Sequence, residues 1–407
     1  MSKLDDLINK FCPDGVEYKK LGILSELYAG ATPKTTNPEY WENGTIPWMS
    51  SGEVNLGQVF NTEKRISQLG YDSCSTKMVP ANSVVVALAG QGKTRGTVAI
   101  TRIELCTNQS LCSIIPNNEL CSDFLYHYMK GQYQTLRKIS SGDGTRGGLN
   151  LKMLYNFEIP VPPLEVQNEI VRILDKFTSL EAELEAELEA RRKQYEYYRD
   201  TLLLKNKNAE WKTLAEIGTF ERGRRFVHGD DREEGTPCIH YGELYTYYGV
   251  WADEVKTHID PELKTKLRFA EKNDVVIVGA GENNIDIGVA VAWLGDYKVA
   301  IHDACYIFRH KQNPKYISYL LRTYNYHLQI KKYVSEGKIC SISAEGIGKA
   351  KLPFPSLEEQ EKIVSILDRF ESLCNDITSG LPAEIEARHK QYEYYRDKLL
   401  TFKRKEI

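Results

Sequence analysis

The feature that most constrains this chain is an eight-residue segment that occurs twice. The segment KQYEYYRD occupies residues 193–200 and returns unchanged at residues 390–397. It ends a longer repeat, in which residues 164–177 align with residues 357–370 at an offset of 193, against 197 for the eight-residue segment. The second copy therefore carries four extra residues. Such a repeat predicts two equivalent structural units within one chain.

Both copies of the repeat predict a long helix. Apolar residues recur at steps of three, four and seven from Ile170 to Leu202 and from Ile363 to Leu399, which places them in one stripe along a helix. A single stripe on a helix of about 60 Å needs a partner, and we expect the two copies to pair as an antiparallel coiled coil within the chain. The segment Ser379–Pro382 should break or restart the second helix. The four extra residues are interpreted as a stutter in the coiled coil.

The regions outside the helices predict two strand-rich domains. Residues 48–53 correspond to residues 238–243, and the apolar run at 83–88 corresponds to the run at 274–279. Short strands, many glycines and aromatic-rich helical patches indicate an α+β fold class. We expect a pseudo-two-fold repeat whose ends come close. Its four parts are a first domain at residues 1–160, a helix at 161–210, a second domain at 211–355 and a helix at 356–407.

The composition excludes several classes of protein. With 407 residues, of which 42% are hydrophobic, the chain has room for two globular domains. No apolar run approaches the roughly 18 residues of a membrane span, and the first residues do not resemble a signal peptide. Nine cysteines without a CxxC pair predict neither disulfides nor a zinc site, so we expect a cytoplasmic location and no metal ligands. The net charge of −3 neither requires nor excludes binding to nucleic acid.

Three motifs that could indicate catalysis do not fit their context. Residues 90–94 (GQGKT) follow an apolar run, but Ala87 replaces the first glycine of a phosphate-binding loop, and a strand follows where a helix is required. Residues 37–40 (NPEY) resemble an amino-methyltransferase tetrapeptide with the wrong third residue, and a proline turn explains them. The pair His302 and Asp303 is better explained as a polar core or groove pair than as a catalytic dyad. We predict no catalytic residue in this chain.

Polar, glycine-rich loops recur in both domains. Arg, Lys, Asn and Gln side chains can read base edges, whereas Ser, Thr and glycine amides bind phosphates. Any one loop alone is better explained as a solvated turn, but the two domains share a framework while their loops differ, which is typical of a reader with two recognition surfaces. The candidate DNA-binding residues are Thr32, Lys34, Ser50, Ser51, Gln91, Lys93, Thr94, Arg95, Thr145, Arg146, Arg222, Arg224, Arg225, His240, Tyr241, Asn283, Asn284 and Lys338.

Over essentially its whole length the chain resembles a known family. The helical repeats, RILDKFTSLEAELEAELEARRKQYEYYRD and SILDRFESLCNDITSGLPAEIEARHKQYEYYRD, resemble the two conserved regions of specificity subunits of Type I restriction–modification systems. The segments GATPKTTNPEYWENGTIPWMSSGEV and VVVALAGQGKTRGTV are similar to the target-recognition domains of that family. The second domain opens with the less usual segment Arg222–Arg225.

The resemblance implies a non-catalytic subunit that binds double-stranded DNA. Each domain would contact one half of a bipartite target, while the helices act as a spacer and dock two methyltransferase (modification) subunits. Two restriction (translocase–nuclease) subunits would complete the enzyme. S-adenosylmethionine, ATP and Mg²⁺ would be used by these partners, for adenine-N6 methylation and DNA cleavage, and no cofactor by this chain. The residues expected to contact partners are Tyr195, Tyr198, Arg199, Tyr392, Tyr395 and Arg396.

Two other classes of function compete with this one. The paired domains could belong to a coiled-coil scaffold or adaptor that binds proteins rather than DNA. Affinity for DNA that falls steeply with salt would distinguish the two, because phosphate contacts release counterions. A stand-alone methyltransferase or nuclease lacks any supporting motif in the sequence.

Overall fold

The computed structural model describes residues 3–90, 94–140, 148–375 and 379–406, and it forms two compact units. Unit 1 combines Met1–Glu185 with Glu384–Ile407, and unit 2 comprises Ala186–Ala383. Each unit therefore contains one strand-rich domain together with segments of both copies of the helical repeat. Within the described residues, no helix is both long enough and apolar enough to cross a membrane.

Domain 1, the first strand-rich region, alternates short strands with short helices. Its strands are β1 (Tyr18–Lys20), β2 (Ser25–Ala29), β3 (Ile46–Met49), β4 (Gln58–Val59), β5 (Lys64–Ile66), β6 (Val84–Ala87), β7 (Val98–Thr101), β8 (Cys106–Thr107), β9 (Leu111–Pro116) and β10 (Glu158–Pro160). Its α-helices are α1 (Lys3–Phe11), α2 (Leu21–Leu24), α3 (Gln68–Asp72), α4 (Ser122–Gly131), α5 (Tyr133–Ile139) and α6 (Leu151–Tyr155).

The main sheet of domain 1 has the strand order β2-β9-β6-β7-β4, and its pairs are antiparallel except for β4 with β7. All four residues of β6 are buried. Val84 and Val86 belong to the same apolar cluster as Phe124 of α4, whereas Val85 belongs to the cluster of Met49. Both faces of the sheet are therefore covered, which explains why β6 is continuously apolar rather than alternating.

The long helix α7 (Leu164–Leu204) separates domain 1 from domain 2 in the sequence and has 41 residues. The strands of domain 2 are β11 (Glu210–Thr213), β12 (Gly218–Arg222), β13 (Asp231–Arg232), β14 (Thr236–Ile239), β15 (Trp251–Ala252), β16 (Thr257–Ile259), β17 (Phe269–Ala270), β18 (Val275–Val278), β19 (Ala280–Gly281), β20 (Ala290–Trp293), β21 (Val299–Ile301), β22 (Cys305–His310), β23 (Cys340–Ser341) and β24 (Lys351–Phe354). Its α-helices are α8 (Leu214–Ile217), α9 (Glu243–Thr246), α10 (Pro314–Leu320), α11 (Tyr324–Lys331) and α12 (Ala344–Gly348).

The main sheet of domain 2 repeats that of domain 1. Its order is β12-β22-β18-β20-β15, again antiparallel apart from the outer pair of β15 with β20. The second sheet, β13-β16-β14-β21-β17, contains the counterparts of β5, β3 and β8 and adds a strand at each edge. The α+β fold class and the internal repeat predicted from the sequence are confirmed.

The second copy of the helical repeat forms two helices rather than one. These helices are α13 (Leu357–Asn375) and α14 (Leu381–Leu399). The predicted interruption at Ser379–Pro382 is confirmed. Pro382 lies in the first turn of α14, where its missing N–H has no helical acceptor to lose.

The same ring contact joins the helices in each unit. In unit 1, Phe177 of α7 stacks on Tyr395 of α14 with 5.1 Å between ring centroids. In unit 2, Phe370 of α13 stacks on Tyr198 of α7 at 5.8 Å. Phe177 and Phe370 are equivalent positions of the repeat, as are Tyr395 and Tyr198. Each copy of the repeat therefore provides the phenylalanine of this contact in one unit and the tyrosine in the other.

The helices of unit 1 pair antiparallel. Phe177 of α7 contacts Tyr395 of α14, and Glu181 Oε1 lies 2.9 Å from His389 Nδ1. The residue numbers thus rise along α7 while those of the contacted residues fall along α14. In this unit the antiparallel pairing expected from the apolar stripe is confirmed.

The two ends of the described chain meet within unit 1. Val16 N donates to the Lys403 carbonyl at 2.8 Å, and Lys405 N donates to the Val16 carbonyl at 2.9 Å. Gly15 has a φ of +101°, and a Cβ there would lie 2.6 Å from the Lys403 oxygen, so this close approach requires a glycine. The expectation that the ends come close is confirmed within this unit.

A buried glutamine fixes the start of each repeat helix to its domain. Oε1 of Gln167 accepts a hydrogen bond from Cys121 N at 2.8 Å, and its Nε2 donates to the Glu119 and Pro162 carbonyls at 2.9 and 2.7 Å. Gln360 occupies the equivalent position in unit 2, and both side chains are fully buried. The partners of Gln360 are Asn313, Gln312 and Pro355.

We predict that Gln167→Leu lowers the free energy of unfolding by about 1–3 kcal/mol, because it leaves a buried N–H and two carbonyls without partners. Gln360→Leu should have an effect of the same size. Chemical denaturation followed by circular dichroism measures both. The control is Gln391→Leu, an exposed position on α14, which should change stability by less than about 0.5 kcal/mol. Equal stability of Gln167→Leu and the unchanged chain would show that the hydrogen bonds of Gln167 do not stabilise the fold.

Candidate nucleic-acid interface

The predicted loops of domain 2 meet along one edge of its main sheet. Strands β12 and β18 both end at this edge, because each pairs antiparallel with the start of β22. Strand β19 follows β18 and pairs with β23, which brings the loop of Asn283 and Asn284 beside the loop of Lys338. Asn284 Nδ2 donates to Glu336 Oε1 at 3.1 Å between these loops. Asn283, Asn284 and Lys338 are exposed, as a DNA-reading role requires.

A cleft of about 300 Å³ lies at the same edge and is lined by Arg222 and Ser335. Arg222 is exposed, but its Nε donates to the Asp303 carbonyl at 2.7 Å. Part of its hydrogen-bonding capacity is therefore used to fix the loop before β22. The remaining guanidinium donors suit a phosphate contact better than a bidentate base contact.

Arg224 and Arg225 lie on a short segment whose backbone is fixed on both sides. Arg224 N donates to the Ile301 carbonyl at 2.9 Å, and Phe226, which follows Arg225, is buried with its ring edge-to-face against His240 at 4.9 Å. Both arginine side chains are exposed and make no hydrogen bond or ion pair with the described residues. A fixed backbone with free guanidinium groups suits bidentate contact with a guanine edge or a phosphate.

The buried carboxylate of Glu243 fixes the loop that carries His240 and Tyr241. It accepts hydrogen bonds from His240 N at 2.9 Å and from Thr257 Oγ1 at 2.5 Å. The prediction of His240 as a DNA contact is wrong, because the residue is only 4% exposed, whereas Tyr241 is half-buried and lies at the surface of the loop. The Tyr241 ring lies 5.5 Å from the ring of His302. Burial lowers the pKa of His302, and its Nδ1 accepts a hydrogen bond from Ala304 N at 3.1 Å, so this ring supports the loop from within the protein.

Four of the predicted residues lie at the equivalent edge of domain 1, namely Thr32, Ser50, Ser51 and Thr94. Strands β2 and β6 both end beside the start of β9, and backbone hydrogen bonds join the ends of β2 and β3 to the connection between β8 and β9. The Thr32 hydroxyl hydrogen-bonds to Gln109 in that connection. Ser50, Ser51 and Thr94 are half-buried, so these side chains lie at the surface of the loop edge.

Glu53 repeats in domain 1 the role of Glu243 in domain 2. Its Oε2 accepts from Ser50 N at 2.7 Å and from Ser50 Oγ at 2.8 Å, while its Oε1 accepts from Glu63 N at 2.8 Å. Sequence comparison placed both glutamates in corresponding segments but did not include them among the site residues. Glu53 and Glu243 lie at the same distance in sequence from the ends of β3 and β14, and this shared position could have identified them from the sequence.

Several predicted residues of domain 1 do not contribute to the described edge. The prediction that Arg95 binds DNA is wrong, because the residue is only 5% exposed and therefore cannot reach DNA in this conformation. Lys34 is exposed, and its carbonyl accepts from Trp41 Nε1 at 3.3 Å. The predicted residues outside the described part of the chain are Gln91, Lys93, Thr145 and Arg146.

The predicted partner-contact residues of the helices divide into buried and exposed groups. Tyr392 is fully buried, and its hydroxyl lies 2.9 Å from His127 Nδ1 in the core of unit 1. Tyr195 is 7% and Arg396 8% exposed. These three residues pack inside the chain and are not available to a partner, which corrects the prediction. They were misassigned because the two tyrosines also belong to the apolar stripe.

The remaining repeat residues are partly or fully accessible. Tyr198 is exposed although its ring stacks on Phe370, and Arg199 and Tyr395 are half-buried. The most exposed tyrosines of the repeat are Tyr197 and its equivalent Tyr394, at 63% and 61%. The sequence analysis missed this pair.

Comparisons with known proteins agree with this architecture. The family model described as Type I restriction modification DNA specificity domain matches residues 13–190 and 206–387. A Type I restriction enzyme specificity subunit of Escherichia coli is 33% identical over 430 aligned positions, covering 100% of this chain and 98% of the relative. A second subunit from Escherichia coli is 29% identical, with 90% of each chain covered.

The chain belongs to the specificity-subunit family of Type I restriction–modification systems. Two solved structures share its fold. One is a specificity subunit from M. genitalium, with a TM-score of 0.52 and 17% identity, covering 95% of this chain and 96% of that one. The other comes from work on complex assembly and conformational transition in a type I system, with a TM-score of 0.62 and 16% identity, covering 95% and 98%.

Membership in this family establishes the general function of the chain. It is a sequence-specific DNA-recognition subunit that acts in a complex with other restriction–modification subunits, and its family is non-catalytic. The alternative of a protein-binding scaffold is not supported. The edges described above are therefore the candidate DNA-reading surfaces of the specificity subunit.

We predict that Glu53→Gln loosens the reading loop of domain 1. The amide can accept fewer hydrogen bonds than the carboxylate, and losing charge-assisted bonds of about 1.5–3 kcal/mol should speed exchange of the Ser50 and Glu63 amide protons by about tenfold or more. Hydrogen exchange measured by mass spectrometry tests this. Glu42→Gln, an exposed carboxylate in the same domain, is the control. Unchanged protection in Glu53→Gln would show that the backbone alone fixes the loop.

Proposed function

We propose that each domain reads one half of a two-part DNA target and that the repeat helices set the distance between the halves. The observation that carries this proposal is the pair of equivalent loops fixed by Glu53 and Glu243. The backbone arrangement is the same in both domains, but the residues that it presents differ, with half-buried Ser51 in one and half-buried Tyr241 in the other. A shared framework with different reading side chains is suited to two different half-sequences.

Within domain 2, Arg224 and Arg225 are the strongest candidates for base contact. Their side chains are exposed and make no hydrogen bond or ion pair with the described residues, whereas Arg222 Nε donates to the Asp303 carbonyl. Rigid backbone support reduces the entropy lost when a side chain binds. We assign base reading to Arg224 and Arg225 and phosphate binding to Arg222.

The repeat surface is proposed to dock two modification subunits. Tyr197 and Tyr394 occupy equivalent positions and are similarly exposed, and two equal surfaces suit two copies of one partner. Two restriction subunits would complete the complex in the cytoplasm. The partners would use S-adenosylmethionine, ATP and Mg²⁺ for adenine-N6 methylation and ATP-dependent DNA cleavage, and this chain would need none of these cofactors.

We predict that replacing Arg224 and Arg225 with Ala changes recognition of one half of the target only. Each lost base contact should weaken discrimination by about 1–3 kcal/mol. Mapping of methylated adenines in cells that carry the complete complex measures both half-sequences at once. The matched control is Arg222→Ala, which should lower overall modification while preserving the base preference, because it removes a phosphate contact. Equal relaxation of both halves would count against independent reading.

We also predict that deleting Glu181–Leu184 shortens the spacing between the two halves. Four residues correspond to roughly 6 Å and a rotation of about 40° along a helix, or close to two base pairs of B-DNA at about 3.4 Å each. The deletion removes no buried side chain, and Leu180 and Leu188 then lie four residues apart, so that the apolar stripe continues. It also removes the Glu181 contact with His389. Both half-sequences should remain unchanged because each domain keeps its own loops.

Methylome mapping of this deletion, again in the complete complex, decides the outcome. A double replacement of Glu183 and Glu185 with Ala changes two exposed side chains in and directly after the same segment without altering its length, and it should preserve the spacing. An active deletion variant with the old spacing would contradict the proposed role of the helices. New half-sequences would contradict it equally.

A further inference from the structure

Three side chains of domain 2 converge in an arrangement that the DNA-reading function does not explain. Both oxygens of the Asp231 carboxylate face imidazole nitrogens. Oδ1 lies 2.9 Å from His240 Nε2, and Oδ2 lies 2.9 Å from His228 Nδ1. Among residues 3–90, 94–140, 148–375 and 379–406, this is the one group of three or more histidine, cysteine or carboxylate side chains whose ligand atoms all lie within 4.8 Å of one another.

The three residues come from separate elements that the sheet holds together. Asp231 starts the edge strand β13 and pairs with Ile259 of β16, while His240 follows β14 on the other side of β16. His228 lies in the turn before β13, which Asp230 closes by accepting a hydrogen bond from Val227 N at 2.8 Å. The sheet therefore fixes two of the ligands, and a local turn presents the third.

The burial of the three residues differs in a way that suits an accessible ion. The His240 side chain is 5% exposed, Asp231 31% and His228 84%. One ligand is therefore held rigidly by packing, one lies at the strand edge and one reaches it from solvent.

The geometry points to a binding site for a divalent metal ion of the zinc class, with His228, Asp231 and His240 as ligands and a fourth position open to solvent. Zinc takes imidazole nitrogen and carboxylate oxygen at about 2.0–2.2 Å and accepts three protein ligands plus one water. Tetrahedral coordination at these lengths separates ligand atoms by about 3.4 Å. The nitrogen–oxygen distances of 2.9 Å need to open only slightly, and the exposed turn of His228 can move.

The two imidazole rings are already oriented for a shared ion. They lie face to face with 4.4 Å between centroids and 20° between planes, and each directs a nitrogen to the same carboxylate. An ion at this point would replace the two hydrogen bonds by three coordinate bonds, with each neutral imidazole carrying its proton on the ring nitrogen that faces away from the carboxylate. It would also join the turn of His228 to the loop of His240, next to the segment of Arg224 and Arg225. Domain 1 has Ser50 at the position of His240, so the site belongs to domain 2 alone.

The test is zinc binding by the full chain after treatment with a chelator. Titration with Zn²⁺ followed by calorimetry should give one site per chain. Co²⁺ should bind at the same stoichiometry and produce visible d–d absorption without the thiolate charge-transfer band that cysteine ligands would add. That spectral difference matters because the described residues include nine free cysteines.

His228→Ala and Asp231→Asn should each weaken the site at least tenfold. His228 is largely exposed and Asp231 lies at a sheet edge, so both variants should keep the circular dichroism spectrum of the unchanged chain. His258→Ala is the matched control, because His258 lies on β16 of the same sheet and outside the group; it should leave binding unchanged. The proposal is overturned if the full chain binds no stoichiometric Zn²⁺ or Co²⁺, or if the two ligand variants bind as tightly as the unchanged chain.

Discussion

The contact on which both units depend is the packing of the repeated tyrosine segment against the repeated Asp-Lys/Arg-Phe segment. In unit 1, Asp175 and Tyr392 flank the buried His127, 3.0 and 2.9 Å from its two ring nitrogens. In unit 2 the equivalent of Asp175 is Asp368, which accepts a hydrogen bond from Tyr319 at 2.7 Å. The tyrosine segment of each copy must pack against the Asp-Lys/Arg-Phe segment of the other copy, and this packing occurs once in unit 1 and once in unit 2. This double constraint explains why the segment KQYEYYRD is identical in the two copies while the two domains differ in sequence.

The loops are free of that constraint for a structural reason. In both domains the main sheet is covered on its faces, and the reading residues lie where strands end, so that their side chains pack against little. What must be preserved there is the backbone path, and Glu53 and Glu243 preserve it mainly through hydrogen bonds from main-chain N–H groups, with one further bond from the Ser50 hydroxyl to Glu53. A carboxylate that binds backbone tolerates any side chain at the reading position. Two domains can therefore share one framework and present Ser51 in one and Tyr241 in the other.

The sequence predicted the features that depend on local pattern. Continuous apolar runs predicted the central strands, the stripe predicted the helices, and Pro382 predicted the helix break. It failed where tertiary packing decides between two roles of one residue type. Tyr392 fits both an apolar stripe and a partner surface, and only the hydrogen bond to His127 shows that it is core. Arg95 stood in a glycine-rich loop typical of DNA contact, yet the fold buries its side chain.

The cluster of His228, Asp231 and His240 shows the limit of spacing arguments most clearly. Metal ligands on one helix or one hairpin leave a short, regular interval in the sequence, whereas His228 and His240 are brought together by β16, a strand that follows both of them in the chain. No interval among the eight histidines could encode that meeting. The hydrogen bonds of Asp231 to His228 and His240 link the turn that follows Arg225 to the loop of Tyr241. Domain 2 therefore has a second means of fixing its reading loop, built from side chains, in addition to Glu243.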